Sequence, residues 1–198
     1  MRVVLYVFTF FMIMVLHTAK VGARTPSRGD SNHRQNTKKD NPNHKFHKLC
    51  LQAHNEYRAI HGAAPLKTNS TLYILARSWA KRLADLDGTS HVTHRPVRGF
   101  GENIYWMPGS QMPYEQYAQK AVEAWYDEEK DYDYSRGVYS PETAHFTQLV
   151  WVSTMEVGCG YNVSKTNTIF VVCNYAPQGN IQGQYKENVL PPSRYIRS

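Results

Sequence analysis

The sequence predicts a domain of the α+β class, because three segments with helical periodicity precede two segments that read as paired strands. Apolar residues recur at helical spacing in residues 48–62 and 70–88, and glycines stand where these two helices should end. A third helical pattern covers residues 113–133. Before it, the segment that enters through Gly101 reads as a strand.

The C-terminal part predicts a β-hairpin with a disulfide across it. Its two strand segments flank the turn Ser-Lys-Thr-Asn, and pairing Val163 with Ile169 places Cys159 opposite Cys173. Sulfurs of directly opposed residues are close enough to bond. We therefore expect a Cys159–Cys173 disulfide and a free thiol at Cys50.

The first 45 residues are expected to precede the folded domain. Residues 1–23 contain one early Arg, an apolar run of 14 residues and small residues before a cleavage position, which is the layout of a secretory signal peptide. That run is shorter than the roughly 20 residues that span a bilayer. Residues 24–45 lack large apolar side chains and are predicted to form a disordered basic leader. The predicted domain covers residues 46–192, with a short tail at 193–198.

The predicted secretion bears on glycosylation and on the role of the basic leader. The chain contains sequons at Asn69 and Asn162, which we expect to carry glycans if they are exposed. The basic leader is suited to weak, salt-sensitive contacts with anionic glycans or membrane surfaces.

The net charge of +7 does not belong to the folded part. Residues 1–48 hold nine of the 23 Lys and Arg residues but only two of the 16 Asp and Glu residues, so the remainder is balanced. A nucleic-acid-binding face would need basic residues gathered on the fold itself. The distribution therefore argues against a nucleic-acid partner.

The side chains that could carry chemistry lie in the middle of the chain: His91, His94, Glu102, Glu128 and His145. Glu128 falls on the apolar stripe of the third helix, where an unpaired charge would be expensive. The sequence contains no HExxH metalloprotease motif, Walker loop, dinucleotide fingerprint or nucleophile elbow. Taken singly, each of these residues is explained as a satisfied structural group.

The segment around His145 is predicted to be helical. Ser140 can cap a helix and Pro141 can occupy its first position. On such a turn His145 and Leu149 share one side, which we expect to face a cleft.

Four blocks of sequence resemble the signature blocks of the CAP superfamily, the cysteine-rich secretory, antigen 5 and pathogenesis-related 1 proteins. These blocks are AHNEYRAIHGAAPL, GFGENIYW, AHFTQLVW and CNYAPQGN, and the resemblance extends over residues 46–192. The closing KENVLPP and the low cysteine count are most similar to the Golgi-associated plant pathogenesis-related subgroup. Those relatives are intracellular, whereas this chain begins with a predicted signal peptide.

The resemblance implies a single-domain, three-layer α-β-α sandwich with a central cleft that holds two histidines and two acids. Matched by motif, these are His91, Glu102, Glu128 and His145, and the two histidines would bind zinc or another divalent metal. His94 is an alternative first ligand, because the sequence departs from the family pattern there. Neutral imidazoles are good zinc ligands, and nearby carboxylates can orient them.

Three functions are consistent with this resemblance. The first is a secreted, non-catalytic binding protein for lipids, sterols or other small apolar ligands, suggested by relatives and by the abundance of Tyr and Trp. The second is a metal-dependent hydrolase in which Glu102 or Glu128 acts as general base. The third is an extracellular effector that a receptor recognises.

Overall fold

The structure is a computed structural model, and it describes residues 41–96, 99–109 and 111–193. The helices are α1 (Pro42–Ile60), α2 (Ser70–Leu86), α3 (Tyr114–Tyr126), α4 (Ala144–Val150) and α5 (Tyr185–Asn188), with 3-10 helices at Asp127–Asp131 and Pro141–Thr143. The strands are β1 (Lys67–Thr68), β2 (Gly101–Met107), β3 (Glu156–Val163) and β4 (Ile169–Ala176). The predicted signal peptide, most of the predicted leader and nearly all of the tail lie outside the described residues.

The four strands form one mixed sheet in the order β1-β3-β4-β2. β1 pairs with β3 in parallel, and the other pairs are antiparallel. Helix α2 covers one face, where Ala76, Ala80 and Leu83 pack on Ile104 and Phe170. Residues of α1, α3 and α4 form the larger core on the other face. This arrangement confirms the predicted α-β-α sandwich.

The hairpin has the register that the sequence predicts. Val163 pairs with Ile169, and Cys159 pairs with Cys173, in the antiparallel ladder between β3 and β4. The disulfide between the two cysteines is present. Cys50 is free and buried, and its thiol donates to the carbonyl of Ala118 at 3.7 Å. Burial leaves Cys50 without the exposure that pairing with another chain would need.

Order begins earlier than predicted, because α1 starts at Pro42 and not near residue 46. Asn41 caps the helix, and Pro42 occupies its first turn, which suits proline's fixed backbone angle. The side chain of Asn43 accepts from the N–H of Tyr161 at 3.0 Å. The last residues of the predicted leader are therefore helical, held by a contact with a strand far away in the sequence.

Helix α2 lies directly on the backbone of β3. A Cβ atom at Gly158 would lie 2.0 Å from the backbone nitrogen of Tyr73, which real Cβ atoms do not approach. Only glycine permits this distance between helix and strand. The layer spacing on this side of the sheet thus depends on Gly158.

The third predicted helix changes character near its end. α3 stops at Tyr126, and Asp127–Asp131 continues as a 3-10 helix that contains Glu128. The segment at Ser140 behaves as expected, with the Ser140 side chain capping a 3-10 helix that leads into α4. Within the described ranges, no helix has the length and apolar character needed to cross a bilayer.

Candidate functional site

The structure pairs Glu102 with His94. Oε1 of Glu102 accepts from Nδ1 of His94 at 2.9 Å and from the backbone N–H of Arg95 at 2.9 Å. When the Asn174 amide is oriented to satisfy both of its ends, its nitrogen donates to Oε2 of Glu102 at 3.1 Å. The carboxylate is almost completely buried, with 6% of its side chain exposed. Glu102 therefore anchors the 94–95 loop to β4.

The carboxylate of Glu102 affects the pKa of the His94 imidazole. The hydrogen bond to Glu102 raises the pKa of His94 above its ordinary value, against an opposing effect of partial burial. The His94 side chain itself is mostly exposed. Its Nδ1 is committed to the carboxylate, and its Nε2 has no hydrogen-bond partner in the described part of the chain.

A second pair joins Glu128 to His145. Oε1 of Glu128 accepts from Nδ1 of His145 at 2.7 Å. Oε2 accepts from the backbone N–H of His145 at 3.0 Å and of Phe146 at 3.1 Å. These amides belong to the first turn of α4, where amides lack intrahelical acceptors and a negative charge is favourable. Glu128 thus caps α4 and orients the imidazole with the same carboxylate.

The aromatic environment of His145 completes its orientation. The imidazole lies nearly parallel to the indole of Trp125, at an angle of 17° and a centroid distance of 6.3 Å. Nε2 of His145, like that of His94, has no hydrogen-bond partner among the described residues. Each imidazole is therefore fixed through Nδ1 and presents Nε2.

Strand β2 connects the two pairs. The Asn103 amide donates to the carbonyl of His145 at 3.0 Å, and a Cβ atom at Gly101 would lie 1.9 Å from Oε1 of Gln148 in α4. Glu102, between these residues, points to the α2 side, where its partner Asn174 accepts from Ala76. Because β2 is an edge strand, the two pairs are separated by that edge of the sheet.

The donor set suits a divalent metal by its chemistry, because each imidazole presents Nε2, but it does not form a closed cage. A histidine that donates through one nitrogen to a carboxylate and offers the other is the usual metal-site arrangement. In the described ranges, however, no three side chains of the tetrad bring their ligand atoms within 4.8 Å of one another. A bound ion would therefore rely on His94, His145 and water, and zinc would supply Lewis acidity there.

The structure places His91 differently from His94. His91 is exposed, and the described residues give it no hydrogen bond or ion pair, whereas His94 contacts Glu102. The family resemblance pointed to His91 as the first ligand and left His94 as its alternative. The contact between His94 and Glu102 favours His94. The departure of this loop from the family pattern was the available signal.

The three sulfurs form the group of potential metal ligands that does meet the 4.8 Å distance: Cys50, Cys159 and Cys173. Two of them are joined in the disulfide. A disulfide sulfur is not the thiolate that binds a metal. We therefore assign this cluster to the core.

The two predicted glycosylation sites have different surroundings. Asn69 caps α2 through its Oδ1, and its amide nitrogen donates to Glu156 at 2.8 Å. A glycan on that nitrogen would compete with this hydrogen bond. Asn162 is half-buried and uses its Oδ1 for the N–H of Val163. The sequon at Asn162 is thus the better candidate, and glycosylation stays a prediction at both.

A buried polar chain behind His145 was not anticipated from the sequence. Nδ1 of His54 donates to the carbonyl of Cys50 at 2.7 Å, and its Nε2 contacts the hydroxyl of Tyr175 at 2.8 Å. That hydroxyl accepts from Asn103, which also donates to His145. Burial lowers the pKa of His54 to about 4, so the ring is neutral. The signal was Asn103, a polar residue on the inward face of a strand that needs a partner.

Arg58 is another buried polar residue that sequence reasoning missed. It is completely buried on α1, and its guanidinium donates to the carbonyls of Ala64, Leu149, Trp151 and Thr154 at 2.9 to 3.0 Å. Burial lowers the pKa of Arg58 to about 10. Arg58 thereby ties α1 to the end of α4 and to the segment that enters β3.

Comparison with known proteins defines the class. The family model described as CAP, the cysteine-rich secretory protein family, matches residues 51–175. The chain therefore belongs to the CAP family.

Particular relatives agree with this membership. Golgi-associated plant pathogenesis-related protein 1 of Homo sapiens is 35% identical over 151 residues, covering 75% of this chain and 95% of that protein. A secreted protein of Candida albicans is 35% identical over 150 residues, and the match spans 74% of this chain but 32% of that protein. The crystal structure of NaASP2 with Zn2+ matches with a TM-score of 0.59 and 25% identity, covering 77% of this chain and 90% of that one.

Proposed function

We propose that this chain is a non-catalytic, extracellular CAP-family binding protein whose cleft holds a divalent cation such as zinc between His94 and His145. The observation that carries the proposal is the set of hydrogen bonds that the two carboxylates accept. Glu102 and Glu128 each accept three hydrogen bonds, and three of the six donors are backbone N–H groups of the segments that carry the histidines. Their proposed role is to position imidazoles.

The same hydrogen bonds argue against the hydrolase alternative. A general base must be free to take a proton from a metal-bound water. Moving either carboxylate away from its donors would leave those N–H groups without an acceptor, which would lower the stability of the fold. Catalysis by Glu102 or Glu128 would therefore break hydrogen bonds that hold the surrounding segments in place.

Two further parts of the proposal rest on the sequence. Extracellular location is supported by the predicted signal peptide, by the disulfide and by a Candida albicans relative that is described as secreted. Another relative, from Homo sapiens, is described as Golgi-associated. Lipids or sterols are the small ligands that the family resemblance implies, and a direct binding assay with purified protein tests that class.

Metal binding is tested by calorimetric titration of the purified full chain with Zn²⁺ after chelation and dialysis. We expect one weak site that His145→Ala and His94→Ala each abolish. His91→Ala is the matched control, because His91 lies in the same loop without the contact to Glu102. If His91→Ala abolishes binding and His94→Ala does not, the assignment of the first ligand is wrong.

Positioning is tested with Glu128→Gln. An outer carboxylate that orients a metal-bound histidine typically contributes about 10- to 100-fold to affinity. We expect weaker Zn²⁺ binding by a factor in that range. Hydrolysis of a peptide library that requires Zn²⁺ and disappears with Glu128→Gln, in a variant that still binds the ion, would contradict the non-catalytic proposal.

A further inference from the structure

A groove outside the histidine site has the form of a second binding site. It has a volume of about 710 Å³ and lies between the segment that precedes α4 and the segment that joins β4 to α5. Its lining is Gly137, Val138, Tyr139, Asn180, Gln182, Gly183 and Tyr185. This lining includes none of the predicted site residues and no ionisable Asp, Glu, Lys, Arg or His side chain.

The walls of the groove are held in place by hydrogen bonds. Asp133 accepts from Ser135 and Arg136, and the N–H of Gly137 donates to the carbonyl of Asp133, which fixes the first wall. In the second wall, the Asn180 amide donates to the carbonyl of Ala144 and accepts from Thr147, both in α4. The groove is thus largely preformed, as ligand sites usually are.

One residue that lines the groove, Tyr185, has a buried hydroxyl without a partner in the described part of the chain. Tyr185 is 1% exposed, and its hydroxyl has no hydrogen-bond partner among the described residues. The buried hydroxyls of Tyr132 and Thr143, which do not line the groove, also lack hydrogen-bond partners among the described residues. Buried hydroxyl groups are normally hydrogen-bonded, so each such exception calls for a water or a ligand.

The phenol of Tyr185 is available as a donor. Burial, with smaller effects of Tyr139 and Tyr132, raises its pKa to about 12, so the group stays protonated at neutral pH.

The outer rim is aromatic and exposed. The side chains of Tyr139 and Val138 are 56% and 48% exposed, and Gln182 is exposed on the facing wall. An exposed ring beside an amide and a buried hydroxyl suits a ligand with one apolar face and several hydroxyl groups. A long acyl chain would need a continuous apolar lining, and a charged ligand would need an opposite charge.

We propose that this groove binds an uncharged saccharide, with a sugar ring lying on Tyr139 and a sugar oxygen accepting from the hydroxyl of Tyr185. The recognition is noncovalent and needs neither the metal nor the two histidines. Failure of the zinc proposal therefore leaves this one unaffected.

The test is calorimetric titration of the purified full chain with three uncharged tetrasaccharides: chitotetraose, cellotetraose and maltotetraose. We expect at least one to bind with a Kd below about 1 mM, the weak end of specific recognition. Tyr139→Ala should weaken that binding by about tenfold or more, because it removes the exposed ring. Tyr185→Phe keeps the ring and should weaken binding by roughly three- to tenfold through loss of one hydrogen bond.

Two control variants separate the groove from other sites. Trp106→Ala removes an aromatic side chain of comparable exposure, 42%, on β2, and should leave saccharide binding unchanged. His145→Ala should also leave it unchanged. Circular dichroism checks that every variant is folded.

Three outcomes would overturn the proposal. The first is that none of the tetrasaccharides binds at about 10 mM, well above any specific Kd. The second is that binding is insensitive to Tyr139→Ala. The third is that a heparin tetrasaccharide or a sterol binds instead, in a manner lost with Tyr139→Ala, which would assign the groove to a charged or lipid ligand.

Discussion

Glu128 holds His145 through both its backbone and its ring, at 3.0 Å to the N–H and 2.7 Å to Nδ1. The start of α4 and the direction of the imidazole therefore have a common cause. A change that loosens one should loosen the other, so stability and ligand binding at this site are expected to be coupled.

Replacing Glu128 with Ala should destabilise the fold by about 2 kcal/mol. The change removes the acceptor for two amides of α4 and for the ring, and hydrogen bonds to a charged acceptor are worth more than neutral ones. Urea unfolding followed by circular dichroism measures the difference. Asp131→Ala, an exposed acid in the same 3-10 helix, is the control and should change stability by less than about 0.5 kcal/mol.

Replacing Arg58 with Met should cost at least about 3 kcal/mol. Methionine fills part of the space but removes the guanidinium donor from four carbonyls, three of them in buried contacts, and buried groups that lose a partner are strongly destabilising. Arg58→Lys should recover little, because an ammonium group cannot reproduce the fork of a guanidinium.

The exposed Arg82 of α2 provides the comparison for Arg58. Arg82→Met should be close to neutral in the same unfolding assay. Equal effects at the two positions would show that the carbonyl contacts of Arg58 contribute little to stability.

Acid should weaken the fold between about pH 6.5 and 4 through His54 and His47. Burial lowers the pKa of each to about 4 from its ordinary 6.5, with neighbouring cationic groups adding to the effect. The unfolded chain therefore binds a proton at a pH where the folded chain does not. This stability is complete above pH 6.5 and is lost as pH falls, by at most roughly 3 kcal/mol per residue.

The pH prediction is measured by urea unfolding at pH 7, 6, 5 and 4.5, with His54→Gln as the variant. Glutamine cannot take up the proton, so the loss of stability on acidification should be smaller in the variant. His44→Gln is the matched control, because His44 lies on the same helix and is exposed. The same pH dependence in wild type and His54→Gln would refute the assignment.

The sequence predicted the elements whose determinants are local. The hairpin register follows from alternation and two opposed cysteines, and the start of the segment before α4 follows from Ser140 and Pro141. The first turn of α1 was missed because the residues that hold it, such as Tyr161, are distant in sequence. No local pattern could reveal that contact.

The site was predictable in part for the same reason. Motif matching proposed Glu102, Glu128 and His145, and the structure pairs each of the two acids with a histidine. The choice between His91 and His94 depends on how the loop folds over Glu102. The sequence gives no local signal for the burial of Arg58, because three of its four acceptors belong to segments about 90 residues away. Buried polar residues of this kind are recognised only when their partners are in place.

The odd number of cysteines gives the molecule a reporter of its own motions. Cys50 is the one thiol of the chain that is not in the disulfide, its exposure is zero, and burial raises its pKa. A thiol reagent can reach it only when α1 separates from the core, so the labelling rate should be negligible in native buffer and should rise with urea. Because opening free energies differ between regions of a fold, that rate would measure how often this particular interface opens.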